Sequence, residues 1–506
     1  MARDAQFGSE SVWMKTQAMP TFERLSGNGT ADACIVGGGI AGLTTAYLLG
    51  QAGLSVVLLQ DGEIGSGETA RTTAHLSNAL DQRYTEVERI HGQRGAYFAA
   101  DSHSAAIRRI EQVVHDEGIA CEFLRVPGYL ILSAEHEKDL LIQEQAAALR
   151  ARLTRVELLP RSPLEHADRP CLRFPDQAQC HPLKYLAGLA EAVRRRNGRI
   201  YTHTRAADVQ GGAHPRVKTD SGWVIEAGSV IMATNTPVNN LVTMHTKQAA
   251  YRTYVIALAV PRGSVFPGLY WDTSDPYHYV RLERYTKEED LLLIGGEDHK
   301  TGQAEDTTER YGRLRAWANA WFPMAKTIVY SWSGQVMESV DGLGFIGRNP
   351  GDTNVYIATG DSGMGMTHGT IAGILLTDLL RGRENPWAAL YDPARTPLGS
   401  VPEWTRENLN VATQYAKWLK PGDVGSVDDI VPNRGAVVTK GVSKLAAYRD
   451  PAGTLHVRSA VCPHLQCIVE WNDEEKTWDC PCHGSRFDRH GKVLHGPAIA
   501  DLAEPS

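Results

Sequence analysis

The sequence predicts an α/β Rossmann-like domain joined to an α+β lobe, with a small all-β domain at the C-terminal end. Three observations carry this reading. Near the start, the apolar run 33–36 leads into Gly37-x-Gly39-x-x-Gly42 and then into a helical stretch, the strand–loop–helix order that a dinucleotide's pyrophosphate needs. In the middle, runs such as 251–260 and 291–296 read as strands. Near the end stand two boxes rich in cysteine and histidine, 462–467 and 480–485.

In the glycine loop, Gly37 permits the tight turn, Gly39 lets backbone approach the phosphates, and Gly42 allows close helix–strand packing. The helix start then offers free N–H groups and a favourable dipole to the anion. A second strand, 54–59, ends where an acidic residue normally binds the ribose. Gln60 stands there, with Asp61 next, and both are candidate cofactor contacts. The fold expected here is Rossmann-like.

The C-terminal boxes each supply one thiolate and one imidazole, Cys462 with His464 and Cys480 with His483. That is the ligand set of a Rieske [2Fe–2S] centre, in which two histidines replace two cysteines on one iron. Structural zinc is the competing reading, but zinc fingers usually pair Cys with Cys and His with His. Zinc would also leave Cys467 and Cys482 without a role. Over residues 422–506 the chain resembles the Rieske domains of cytochrome bc-type complexes, through CPHLQC, CPCHGSRFD and the following 491–498. The resemblance implies a Cys467–Cys482 disulfide beside the cluster and a hydrogen bond from Ser485 to a cluster sulfur. Phe487 replaces a tyrosine of the high-potential members, and Gln466 replaces the usual glycine of the first loop. Losing a hydrogen bond to the cluster lowers its potential, so a value below the respiratory members is expected.

Residues 64–76, with Arg71, Thr72 and His75, form a glycine- and arginine-containing segment. Together with 230–235, 341–347 and 358–369 it makes the first 400 residues similar to the D-amino-acid oxidase/glycine oxidase superfamily of FAD-dependent oxidoreductases. The resemblance implies that Arg71 and Thr72 pass the pyrophosphate, and that Gly363, Met364, Gly365, Met366 and Thr367 face the flavin from a helix start. The expected division is FAD-binding parts at 28–105, 180–245 and 331–400, and a substrate lobe at 106–179 and 246–330. Residues 182–197 show apolar helical spacing and read as core packing. A helix and linker fill 401–421, and Pro421-Gly422 marks the boundary.

Superfamily likeness implies oxidation of a small amine or amino acid at a carbon next to nitrogen. No general base is required, and none stands out. His75 and His368 are candidate flavin- or substrate-facing groups; packed, hydrogen-bonded side chains are the plainer alternative. Arg252, with Tyr251, is a candidate for gripping a substrate carboxylate, against the plainer reading of strand residues facing solvent. His490 and His495 superficially match a mononuclear iron pair but fall among turn residues and lack an acidic partner.

The expected function is a dehydrogenase holding FAD and a [2Fe–2S] cluster, passing electrons singly to an external acceptor. The rival is a redox sensor or electron carrier without its own organic substrate. Net charge is 52 − 59 = −7 and no long basic run occurs, which argues against nucleic acid. Neither a signal sequence nor an uninterrupted apolar span is found, so a cytoplasmic protein without a membrane span is expected. Reducing conditions there would oppose the disulfide unless burial protects it.

Overall fold

The computed structural model describes residues 10–133, 138–164, 169–238, 244–304 and 306–505. Two large sheets build the first 400 of these residues, and two small sheets build the C-terminal domain.

The first sheet runs in the order Phe345–Arg348, Val355–Thr359, Val224–Asn235, Gly29–Val36, Val56–Leu59, Arg199–Tyr201. Its central strands are parallel. They are nearly continuous apolar runs because both faces are covered, as parallel sheets require. Val56–Leu59 is buried at every position. The helices Ile40–Gln51 and Gly365–Leu380 pack on this sheet and on each other. Val224–Asn235 lies inside the sheet, between Gly29–Val36 and Val355–Thr359.

The second sheet runs Thr327–Ser339, Gln248–Pro261, Glu289–Lys300, His278–Arg284, Leu269–Asp272, Leu124–Ile131, Cys171–Gln179, His75–Leu76. Strand alternation explains how it sits. Val255 and Ala257 enter the large core shared with the first sheet, while Tyr254, Ile256 and Leu258 point the other way. There they meet Tyr311 and Leu314 of the helix Thr307–Trp321. The lobe runs past residue 330, since Thr327–Ser339 pairs with Gln248–Pro261 along most of its length.

The C-terminal domain holds a three-stranded meander, Arg434–Lys440, Ser443–Arg449 and Leu455–Ser459. A four-stranded one follows, Glu470–Asn472, Thr477–Asp479, Arg486–Asp488 and Val493–His495. Tyr448, Trp478 and Phe487 fill its core. The helix Val401–Gln414 leads into it. Tyr415 Oη and Trp418 Nε1 then donate to the Leu465 and Gln466 carbonyls at 2.8 and 3.0 Å, which ties the linker to the first cysteine box.

The domain is docked on the second sheet. Gly484 has φ +79°, and a Cβ there would lie 2.3 Å from Ala250 Cβ, so the second cysteine box approaches that strand closely only because a side chain is missing. Among the described residues no helix is long and apolar enough to cross a membrane.

Candidate functional site

One cavity of about 350 Å³ runs from the glycine loop, under the second sheet, to the C-terminal domain. At its first end the loop Gly37–Gly39 precedes the helix Ile40–Gln51, whose N-cap is Gly39. A Cβ on Gly42 would lie 1.9 Å from Gly37 O, so this helix can meet the strand end only with glycine there. Gln60 braces the loop: its Oε1 accepts from Gly38 N at 2.6 Å, and its Nε2 donates to Asp61 Oδ1 at 2.7 Å. The exposed Asp61 is left at the end of Val56–Leu59, where a ribose would be bound.

Arg71 and Thr72 line the same cavity. Arg71 Nη1 donates to Ser333 O at 3.1 Å, and Thr72 Oγ1 accepts from Ala74 N at 3.0 Å. Gly363, Met364, Gly365 and Met366 line the far wall, where the helix Gly365–Leu380 begins with Met364 as its N-cap. Thr367 is turned away and bonds His103 Nδ1 at 2.8 Å. Two helix starts and a glycine loop around one elongated cavity fit a dinucleotide, with N–H groups for its anionic centre. The domain binds FAD, and these residues fit it and would hold it.

The C-terminal hairpin closes this cavity with Val493–His495 and the segment after it, including Gly496 and Ile499. His495 Nδ1 lies 3.1 Å from Glu68 Oε1. Burial holds His495 down to about 4, so the ring is neutral near pH 7. Glu68 is opposed by burial, yet stays below the ordinary carboxylate range because His495, Arg71 and Arg252 stand close to it. No local pattern marks this contact, since its partners are far apart in the chain.

The candidate catalytic residues separate. His75 lines the cavity with both ring nitrogens engaged, Nδ1 with Thr73 Oγ1 at 3.0 Å and Nε2 with Val280 O at 3.3 Å. Burial pushes it down to about 3, which makes it a fixed neutral ring. His368 also lines the cavity, at 4 % exposure, with its Nε2 unpartnered; burial takes it to about 3 as well. Arg252 is not a cavity residue, and its proposed grip on a carboxylate is corrected. It is completely buried, and its Nη2 donates to Glu475 Oε1 of the C-terminal domain at 2.5 Å. Glu475 is shared with Arg486 Nη2 at 2.7 Å. Burial opposes its charge, but the two guanidiniums hold it far below the ordinary range. The arginine fell on the docking face because Gln248–Pro261 alternates, and the sequence could not show which face was covered. Tyr251, beside it, also lies outside the cavity and has Lys300 Nζ 5.9 Å from its ring centre.

In the cluster site, the two boxes converge as loops. Cys467 and Cys482 form a disulfide with Cα atoms 6.4 Å apart. Cys462 and Cys480 lie within hydrogen-bond reach of each other, and backbone N–H groups point at both sulfurs, those of His464 and Leu465 at Cys462 and those of Cys482 and His483 at Cys480. The neighbouring thiol, these N–H groups and the Ser485 hydroxyl bring Cys462 down to about 7 despite burial. His464 Nε2 and His483 Nδ1 are buried with no partner, and burial lowers both rings to about 4, keeping them neutral. Two sulfurs cradled by N–H groups opposite two neutral, unpaired imidazoles fit a [2Fe–2S] cluster. Cys480 Sγ also lies within 4.8 Å of both disulfide sulfurs, but a disulfide offers no thiolate, so that crowding is not a metal triad. Gln466 sits at φ +60°, the conformation that favours glycine. His245, from the residues before Gln248–Pro261, packs its ring 4.6 Å from that of His464 and 5.3 Å from that of His483. It is a lone histidine in sequence, and nothing local marks it.

These features define a flavin-dependent oxidoreductase joined to an iron–sulfur domain. The family model for FAD dependent oxidoreductases (DAO) matches residues 32–379, and that for the Rieske [2Fe–2S] domain matches residues 420–506. The chain belongs to the FAD dependent oxidoreductase family and carries a C-terminal Rieske domain. It is 34 % identical over 504 residues to YhfW of Bacillus subtilis, provisionally named a Rieske 2Fe-2S iron-sulfur protein, with 99 % of this chain and 98 % of that one covered. It is 27 % identical over 375 residues to gamma-glutamylputrescine oxidoreductase of Escherichia coli, covering 71 % and 86 %. Glycine oxidase from Geobacillus kaustophilus has the same fold, with a TM-score of 0.60 at 18 % identity over 72 % of this chain and 99 % of that one.

Proposed function

We propose that this protein is a dehydrogenase that oxidises a small amine or amino acid beside its nitrogen and delivers the electrons singly, through its Rieske domain, to an external acceptor. The observation that carries this reading is the shared wall: the strand and turn from Val493 to Ile499 belong to the Rieske domain and close the FAD cavity. Bound in these sites, FAD supplies a two-electron acceptor for a C–H bond next to a substrate nitrogen, leaving a C=N bond on the substrate, and the [2Fe–2S] cluster supplies a one-electron site.

The chain's own residues bind, orient and exclude water. The glycine loop holds the dinucleotide, and the second sheet roofs the reacting end with Thr253, Trp271 and Tyr279. His75 donates or accepts without changing charge, because burial keeps it neutral. The Arg252–Glu475–Arg486 group fixes the Rieske domain to that roof, and His245 fills the space against both cluster imidazoles. The names of the relatives support amine chemistry, since one is an amine-derivative oxidoreductase and a solved neighbour is an amino-acid oxidase. We place the protein in the cytoplasm, with an acceptor outside the chain.

The test is an anaerobic titration of the purified protein with amines and amino acids, following flavin absorbance and the Rieske EPR signal together. Bleaching of the flavin followed by appearance of the EPR signal is the expected result. Reduction of both centres by dithionite alone, with no amine effective, would overturn the enzyme reading in favour of an electron carrier.

A further inference from the structure

The roof end of the cavity is acidic. Asp81, Asp298, Glu338 and Asp361 all line it. They come from a loop, two strands of the second sheet and the turn before Gly365–Leu380, so they surround the space from several sides. No ion pair joins any of the four to a lysine or arginine among the described residues. Among the described residues the arginines and lysines on the cavity wall are Arg71, held to Ser333 O beside Glu68, and Arg205, held to Ile499 O beside the C-terminal hairpin. Burial pushes Asp81 up to about 6, Asp298 and Asp361 to about 7 and Glu338 to about 8, and neighbouring carboxyl groups add to the rise at the last three. The nearest opposite charge is Arg310, which touches the Asp298 carbonyl from behind the sheet and is itself paired with Asp306.

Several atoms there also lack a partner. Asp298 Oδ1 and Asp361 Oδ1 are enclosed without one, as are Gln335 Oε1 and His368 Nε2, both on side chains only 4 % exposed. Tyr277 Oη donates to Asp81 Oδ2 at 3.2 Å, and Tyr279 Oη lies 2.8 Å from Thr253 Oγ1. Trp271, Tyr277 and Tyr279 bring aromatic faces to the same space. A hard metal ion is a poor match: no three of these carboxylates come within 4.8 Å of one another among the described residues, whereas a divalent cation collects six or more oxygens. Separated carboxylates interleaved with aromatic faces suit an organic ammonium ion.

Resting on the amine-dehydrogenase reading above, we infer that the pocket takes a diamine or polyamine cation with no carboxylate, one nitrogen at the oxidised carbon and another held by the acidic roof. An amino acid would bring its own carboxylate against unpaired acids with no free guanidinium to receive it. A bound cation favours loss of the protons these raised acids carry, whereas a carboxylate would favour keeping them, so the arrangement discriminates by charge.

The experiment uses the full-length protein with both cofactors and compares 1,4-diaminobutane and spermidine with butylamine, glycine and L-proline under anaerobic conditions. Two readouts are taken, the shift of the flavin spectrum on binding and its bleaching. The diamine or spermidine is expected to reduce the flavin at concentrations at least about tenfold below butylamine, with the amino acids ineffective. Asp298→Asn and Glu338→Gln, checked for unchanged FAD content and EPR signal, should each weaken diamine binding about tenfold and butylamine binding much less. If a variant fails to fold, the order of ligands on the natural protein still decides. Reduction by glycine or proline in preference to the diamine overturns this inference and leaves the proposed function standing. Diamine binding that the variants weaken, without any bleaching, upholds the pocket assignment and overturns the proposed function. No effect of any amine on either readout overturns both.

Discussion

At the glycine-loop end of the cavity, the groups offered to an anion are backbone N–H groups of one short contiguous segment. At the roof end, the charges are carboxyl groups on elements that are hundreds of residues apart, Asp81 against Glu338 and Asp361. Backbone donors work there because a helix start presents them whatever the side chains are, so glycine, which clears the approach, is the only demand on sequence. Side-chain carboxylates make the opposite demand: each must be placed by its own strand and desolvated by its neighbours. One end of the cavity is therefore a local motif and the other a tertiary product.

The largest expected effect strikes the local end. Gly42→Val puts a side chain where even a Cβ would sit 1.9 Å from Gly37 O, so the helix must move away from the strand. The purified variant should retain less than roughly a tenth of the natural FAD content, read from its flavin absorbance, while the Rieske EPR signal survives. Full flavin retention would break the comparison.

Next comes the interface that joins the roof to the Rieske domain. Glu475→Gln leaves Arg252 and Arg486 buried beside a neutral group, and breaking a buried pair in this way costs about 3–5 kcal/mol. A separate low-temperature unfolding step of the Rieske domain should appear in calorimetry. The natural contact should also outlast acidification. Glu475 is depressed in the fold, so its stabilisation is present above the ordinary carboxylate value and fades only as pH falls toward its own, far lower one.

A smaller effect sharpens the acidic end. Asp81, Asp298, Asp361 and Glu338 titrate between about 6 and about 8 in the fold, above their unfolded values near 4. Between those limits the folded chain binds more protons than the unfolded one, so stability falls as pH rises from 4 to 8 and then levels. Facing charged or titratable groups are Glu68, with Arg71 beside it, and Arg310 and His278 next to Asp298. Thermal melts should show this slope, and Asp298→Asn should flatten part of it. A slope unchanged in the variant would remove Asp298 from the group.

The smallest effect concerns the cluster. Phe487→Tyr offers a hydroxyl where the fold has a fully buried phenyl ring, and a new hydrogen bond of about 1 kcal/mol should raise the midpoint potential by roughly a few tens of millivolts. An EPR-monitored titration checks the direction; a fall would show that the hydroxyl does not reach the sulfur.

Much of the site was legible in the chain. Gly37, Gly39 and Gly42, and the cysteines and histidines of the two boxes, are each fixed by neighbours a few positions away. A strand–loop–helix turn or a pair of ligand loops needs little else; the structure sets the glycines between a strand and a helix and brings the two boxes together as loops. Arg252 was misplaced for the reason that makes strands ambiguous: alternation fixes that it opposes its neighbours, but which face meets solvent, substrate or another domain depends on what docks there. His245 over the cluster rings, His495 beside Glu68 and the ring of unpaired carboxyl groups carry no local signal. The sequence by itself determined which cofactors this protein can hold, because their cradles are short segments with their own geometry. Only the tertiary structure decided that the Rieske hairpin walls the flavin cavity and that its roof is acidic, because burial and charge at those positions come from contacts between segments that the chain keeps far apart.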